Sequence, residues 1–166
     1  MKGEHNLQMV NIINIDASIL SVDSLLKVWR FISGKRYTKD NVQLLFIDDS
    51  EMPVVDNLRK SGYKVTKKVD VRNIHDADVK NAQVIFVDFD GVGNVISSQH
   101  QGAGLIKALK EEYKKSKYIV LYSAQRRLPA DTVLNEYLSY ADGMLKKDAD
   151  ETKFTDQIQK AFETLR

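Results

Sequence analysis

Cysteine is absent from the 166 residues, so neither a disulfide framework nor a thiolate nucleophile enters the reading, and a reducing compartment is compatible. Histidine is scarce: His5, His75 and His100 lack metal-ligand spacing and read as ordinary surface or turn residues. No apolar run approaches the roughly 18 residues of a membrane span. The start, MKGEHNLQ, is polar and not a targeting segment. Long basic blocks are missing too. Lys114-Lys115 with Lys117, and Arg126-Arg127, are the largest clusters, and with a net charge of +2 they read as solvated faces, not a nucleic-acid surface. No repeat and no low-complexity linker interrupts the chain. The expectation is a cytoplasmic protein with neither membrane nor nucleic acid as partner.

What is present is a composition, 43% hydrophobic and 29% charged, that suits one globular domain with a proper core and a short appendage. VQLLFI (Val42–Ile47), AQVIFV (Ala82–Val87) and YIVLY (Tyr118–Tyr122) are continuous apolar runs of strand length, as strands covered on both faces require. YKVTKKV (Tyr63–Val69) alternates apolar residues with lysines and reads as an edge strand. GMLK (Gly143–Lys146) is a short fifth candidate. Helical patterns fill the gaps: Val54, Val55 and Leu58 before Ser61-Gly62; at most two turns around His75–Lys80; Leu105, Ile106, Leu109 and Tyr113. Val133, Leu134, Tyr137 and Leu138 follow start signals at Pro129 and Asp131, and Phe154, Ile158, Phe162 and Leu165 close the chain. Repeated strand–helix alternation predicts a doubly wound α/β sheet. Residues 1–40 differ and form the expected appendage. MVNIINI reads as a possible strand, and SVDSLLKVWRFISG as an amphipathic helix with Ser21 as cap, Gly34 as stop and a stripe holding Trp29.

In such a sheet the carboxyl ends of the strands form the ligand crevice. The first strand ends in Asp48 and Asp49, the third in Asp88 and Asp90, the fourth in Ser123, and the fifth leads to Lys146 and Lys147. Carboxylates so close repel one another unless a cation shares them, and hard oxygen ligands favour Mg²⁺. A lysine and a hydroxyl complement a phosphoryl group with one charge and one donor. The pattern points to phosphoryl chemistry on Asp88.

As a set, LLFIDDS, VIFVDFDG, IVLYSA and ADGMLKKD resemble the receiver domain of bacterial two-component response regulators over roughly Val42 to Arg166. The resemblance implies a flavodoxin-like five-stranded parallel sheet of order 2-1-3-4-5 over 41–166, with residues 1–40 as an added helical segment. It implies that Asp48 and Asp49 hold Mg²⁺, Asp49 more directly, together with Asp88 and the backbone carbonyl of Asp90. Asp88 would be the phosphoacceptor, Ser123 the hydroxyl that moves toward the phosphate, and Lys147, not Lys146, the charge partner. A sensor histidine kinase, a histidine phosphotransfer protein or a small acyl phosphate would be the donor. The protein would not turn over a substrate beyond its own phosphorylation and autodephosphorylation. With nothing after Arg166, output is expected by protein contact, with a partner or a second copy, through a face that includes Tyr137, Leu138 and Tyr140.

The chain departs from that pattern in a long Asp88–Gly104 loop without the customary proline, and in Met144 where an aromatic switch residue often stands. VIFVDFDGVG also resembles the first motif of haloacid dehalogenase-like phosphatases, with Asp88 as nucleophile and Asp90 as general acid/base. In that family the acidic pair comes last, whereas Asp48-Asp49 precedes Asp88. A third reading is an interaction module that is never phosphorylated, though such modules have usually lost one of Asp49, Asp88, Ser123 and Lys147. The side chain of Asp90 is either a modulator of the phosphorylated state or a solvent-facing turn residue.

Overall fold

The computed structural model describes residues 37–124 and 132–165. The chain divides into units Met1–Gly34 and Lys35–Arg166, and the described residues belong to the second. The helix expected around Trp29 and the start signals Pro129 and Asp131 lie outside the described residues.

The elements are β1 (Gln43–Ile47), α1 (Pro53–Lys60), β2 (Lys64–Lys68), α2 (Ala77–Asn81) and β3 (Val84–Asp88), then α3 (Gln101–Tyr113), β4 (Tyr118–Ser123), α4 (Thr132–Leu138), β5 (Gly143–Lys146) and α5 (Glu151–Thr164). A 3-10 turn at Lys114–Ser116 links α3 to β4. The strands form one sheet of order β2-β1-β3-β4-β5, and every neighbouring pair is parallel. This is the flavodoxin-like arrangement read from the sequence. The lysine-bearing strand β2 lies at one edge, and no helix among the described residues is long and apolar enough to cross a membrane.

Strand pleat explains how near-continuous apolar runs fold into two layers. Successive side chains point to opposite faces, so a strand between two helix layers needs apolar residues at every position. Leu44, Phe46, Val84, Phe86, Val120 and Tyr122 pack with Val55 and Leu58 of α1 and Phe154, Ile158 and Phe162 of α5. Leu45, Ile47, Ile85, Val87, Ile119 and Leu121 pack on the other side with Val79 of α2 and with Leu105, Ile106 and Leu109 of α3. Phe46 and Phe86 stack with ring centroids 4.4 Å apart, and Phe154 tilts against both. Truncating any of these rings would cost about 3–5 kcal/mol.

Local signals set the helix ends. Pro53 opens α1, where a missing amide hydrogen costs nothing. Asp150 caps α5, its carboxylate accepting the Lys153 amide at 3.2 Å. One expectation changes: Leu138 is 6% exposed and sits in the core, with Tyr137 and Tyr140 partly buried against the same cluster, so Leu138 offers little surface to a partner. Met144 is half exposed on β5. Between β1 and β3 the chain reverses its direction of travel across the sheet, since β1 leads outward to β2 and the remaining strands build the other way. Ligand crevices of such sheets open at that switch point.

Candidate functional site

The backbone ladder continues beyond the strands at this edge. The Asp48 amide donates to the Lys68 carbonyl at 2.9 Å, the Phe89 amide to the Tyr122 carbonyl at 3.0 Å, and the Lys147 amide to the Ser123 carbonyl at 2.8 Å. Residues just past β1, β3 and β5 are thereby fixed in register, which brings Asp48 and Lys147 to the same edge as Asp88 at the end of β3.

Lys147 is the hub. Its ammonium donates to Asp88 Oδ2 at 2.6 Å, to Asp48 Oδ1 at 3.0 Å and to Ser50 Oγ at 2.9 Å, and lies 2.9 Å from Asp48 Oδ2. Lys146, beside it, is exposed and belongs to β5. Asp48 is fully buried. Its Oδ1 also accepts the Ser50 amide at 2.7 Å, and its Oδ2 accepts the Tyr122 hydroxyl at 2.8 Å. Asp88 is buried at the end of β3, its Oδ1 accepting the Phe89 amide at 2.8 Å. Asp49 is exposed and accepts the Ser50 hydroxyl at 3.2 Å. Oxygens of Asp48, Asp49 and Asp88 lie within 4.8 Å of one another. Ser123 is buried at the end of β4, and Asp90 is exposed in the loop after β3.

Two glycines let the backbone come this close. A Cβ on Gly91, whose φ is +81°, would stand 2.5 Å from Asp49 Oδ2, and one on Gly102 would stand 1.9 Å from the Asp88 carbonyl oxygen. At Gly102 backbone leaves no room for a side chain, and at Gly91 the left-handed φ strains any other residue. The loop between them is tied at both ends: the Gly91 amide donates to Gln101 Oε1 at 3.0 Å, and the Gly93 amide to Asp70 Oδ1 at 2.6 Å.

Charge is unevenly distributed over the cluster. Burial pushes the Asp88 carboxyl above the usual range, and the negative charge of Asp48 adds to this, against the pull of Lys147 and the Phe89 amide. Burial acts on Asp48 in the same direction, but the Ser50 amide, Lys147 and the Tyr122 hydroxyl together hold it below its ordinary value. Lys147 loses water on burial, yet its hydrogen bonds to Asp88 and Asp48 raise it. Asp48 and Lys147 are thus both shifted toward their charged forms, while Asp88 is shifted toward its neutral one and is the more basic carboxylate. A relatively basic, partly neutralised oxygen beside an ammonium is suited to nucleophilic attack on an anionic electrophile.

The donor set tests well against a divalent cation. Three carboxylates within one ion's reach, with no nitrogen or sulfur among them, are hard-oxygen ligands of the Mg²⁺ type. The structure brings together Asp48, Asp49, Asp88 and Lys147 as residue spacing suggested. Sequence reasoning missed Ser50, Gly102 and Tyr122. Only Tyr122 carried a signal: a phenol inside a buried strand must find a hydrogen-bond partner.

No family model matches the chain, and no curated protein does. Solved structures do resemble it. A response regulator from Thermotoga maritima is 17% identical, with a TM-score of 0.52 over 74% of this chain and 98% of that one. The N-terminal domain of a response regulator/sensory box/GGDEF 3-domain protein from Carboxydothermus hydrogenoformans is 16% identical, with a TM-score of 0.55 over 73% and 94%. The BeF3-activated DrrB receiver domain is 14% identical, with a TM-score of 0.54 over 74% and 97%. The described unit has the fold of response regulator receiver domains.

Proposed function

We propose that this chain is a receiver that accepts a phosphoryl group on Asp88 and signals by protein contact. The observation that carries the reading is the 2.6 Å bond from the Lys147 ammonium to Asp88 Oδ2, made inside a carboxylate cluster at the switch point of the sheet.

In this reading an Asp88 oxygen attacks the phosphorus of a phosphohistidine on a sensor kinase or phosphotransfer protein, or of a small acyl phosphate. A P–O bond to Asp88 forms as the P–N or P–O bond of the donor breaks, and the donor keeps the bonding pair. Lys147 offsets the charge gathering on the phosphoryl oxygens, and Ser123 supplies a hydroxyl donor to one of them. Asp49 and Asp88, with the Asp90 carbonyl and with Asp48 behind them, would hold Mg²⁺, which when bound adds positive charge at the phosphoryl group. Attack of water on phosphorus later breaks the Asp88 O–P bond and releases phosphate. While the phosphoryl group is on Asp88, movement of Ser123 toward it biases a two-state equilibrium at β4, α4 and β5. Met144, half exposed on β5, gives this face no aromatic switch there. The setting would be cytoplasmic.

The test is intact mass after incubation with Mg²⁺ and acetyl phosphate. A gain of one phosphoryl group by wild type and none by Asp88→Asn is expected. Steady release of inorganic phosphate over many turnovers, lost in Asp88→Asn, would instead establish a phosphatase. Silence in both assays would leave an interaction module that is never phosphorylated. The exposed Asp90 side chain is assigned to tuning the lifetime of the acyl phosphate; an unchanged dephosphorylation rate in Asp90→Asn would remove that role.

A further inference from the structure

Each oxygen of a carboxylate offers about two acceptor directions, and in Asp48 both oxygens are committed. Oδ1 takes the Ser50 amide and Lys147; Oδ2 takes the Tyr122 hydroxyl at 2.8 Å and Lys147 at 2.9 Å. The other two aspartates are less engaged: the bonds described above are the Ser50 hydroxyl for Asp49, and the Phe89 amide and Lys147 for Asp88. We infer that Tyr122 is a positioning residue that withholds Asp48 from direct metal ligation, its hydroxyl filling the acceptor site that a divalent cation would use. The inference rests on the proposed Mg²⁺-assisted acceptor site. It assigns the cation to Asp49 and Asp88 and reserves Asp48 for Lys147.

The phenol is not placed there by chance of rotamer. The ring is fully buried between Phe46, with centroids 6.3 Å apart, and Phe154, which meets it edge-on at 6.3 Å. Its oxygen lies 3.1 Å from Met52 Sδ and 3.4 Å from the Ile47 carbonyl, and of these neighbours only Asp48 is an anionic acceptor. A ring fixed on both sides cannot swing away, so the hydroxyl acts as a fixed donor to one oxygen. Without it, Asp48 Oδ2 would keep Lys147 at 2.9 Å but lose its second donor, and a cation entering beside Asp49 would satisfy the acceptor direction left open.

The experiment is a calorimetric titration of Mg²⁺ alone into wild type and Tyr122→Phe, with thermal unfolding in EDTA and in Mg²⁺. Tyr122→Phe is expected to bind Mg²⁺ on the order of tenfold more tightly, the worth of one hydrogen bond to a charged group. It should also unfold at lower temperature in EDTA and recover in Mg²⁺. Adding Asp48→Asn to Tyr122→Phe should abolish the gain. Equal affinities would make the phenol mere filling, and weaker binding would make it a support for a ligating Asp48; either result overturns the inference. If Tyr122→Phe does not fold in EDTA, refolding across a Mg²⁺ series replaces the titration, with Mg²⁺-dependent recovery supporting the inference and indifference overturning it. Intact mass with acetyl phosphate separates the two levels. Adducts on both proteins with equal Mg²⁺ affinity remove only the role of Tyr122. No adduct and no Mg²⁺ binding in either protein removes the acceptor reading and this inference together.

Discussion

Lys117 and Lys147 stand at opposite edges of the same sheet, and the fold treats their ammonium groups in opposite ways. At the amino edge, Lys117 is 5% exposed and its Nζ meets only neutral acceptors, the carbonyls of Ala82 and Lys80, with the Tyr113 ring 4.4 Å away. Burial pushes this lysine down to about 8. At the carboxyl edge, Lys147 is also largely covered, but two carboxylates surround it and its affinity for the proton rises. The first lysine closes the last turn of α2 and stops there. The second is held as part of a charge assembly. Burial of a cation does not by itself mark a site; the sign of what surrounds it does.

The contrast can be attacked in order of expected effect. Gly102→Ala should be the most damaging change, since its methyl group collides with the Asp88 carbonyl; a loss of roughly 3–4 kcal/mol is expected in urea unfolding. A small effect would mean that the start of α3 shifts freely and that the carboxyl edge is not rigid. Lys147→Met comes next, because it leaves Asp48 buried with an uncompensated charge. A loss of roughly 2–3 kcal/mol in EDTA is expected, less than for a wholly buried pair because Lys147 keeps some water contact. Mg²⁺ should restore part of it.

Lys117 sharpens the comparison through pH. Its folded value is about 8 against 10.5 for an ordinary lysine, so between these limits the unfolded chain binds more protons than the folded one. Stability therefore rises with pH across that window, and below about pH 8 the cost of burying the charge is constant. Wild type should gain about 2 kcal/mol relative to Lys117→Met between pH 8 and 10.5. Lys147 has the opposite sign: its contribution is fully present below 10.5 and is lost only above that, so wild type against Lys147→Met should stay flat over the same range. Parallel curves for the two lysines would break the contrast. The smallest effect is expected for Asp56→Ala, which removes the exposed 3.0 Å pair with Arg59. A change under about 0.5 kcal/mol is expected, easily screened by salt.

How far the sequence carried depended on whether a feature followed from strand ends alone. A parallel sheet places all strand carboxyl ends on one edge, so Asp48, Asp88, Ser123 and Lys147 could be assigned there without knowing any side-chain geometry. The partner of Tyr122 could not. Period two places its ring on the α1/α5 side, but reaching Asp48 depends on ring length and tilt across two intervening strand spacings. Gly102 was invisible for a related reason: its approach to Asp88 is fixed by the path of the loop between β3 and α3, which carries no periodic signal. Leu138 misled because the apolar spacing of a helix stripe does not tell which members stay accessible: Tyr137 keeps part of its surface and Leu138 almost none.

The edge strand β2 has a bearing on how the molecule behaves in a crowd. Three of its five residues are lysines: Lys64 is exposed, Lys67 donates to the Asp48 carbonyl at 2.9 Å, and Lys68 pairs with Asp78 at 2.8 Å. An incoming β-strand from another molecule would have to align its backbone beside this row of charge, two of whose members are already tethered, Lys67 to the end of β1 and Lys68 to α2. Strand-by-strand polymerisation is therefore opposed at this margin by electrostatic repulsion and desolvation, and the fold can hold a fully apolar sheet interior without offering it as a template for fibres.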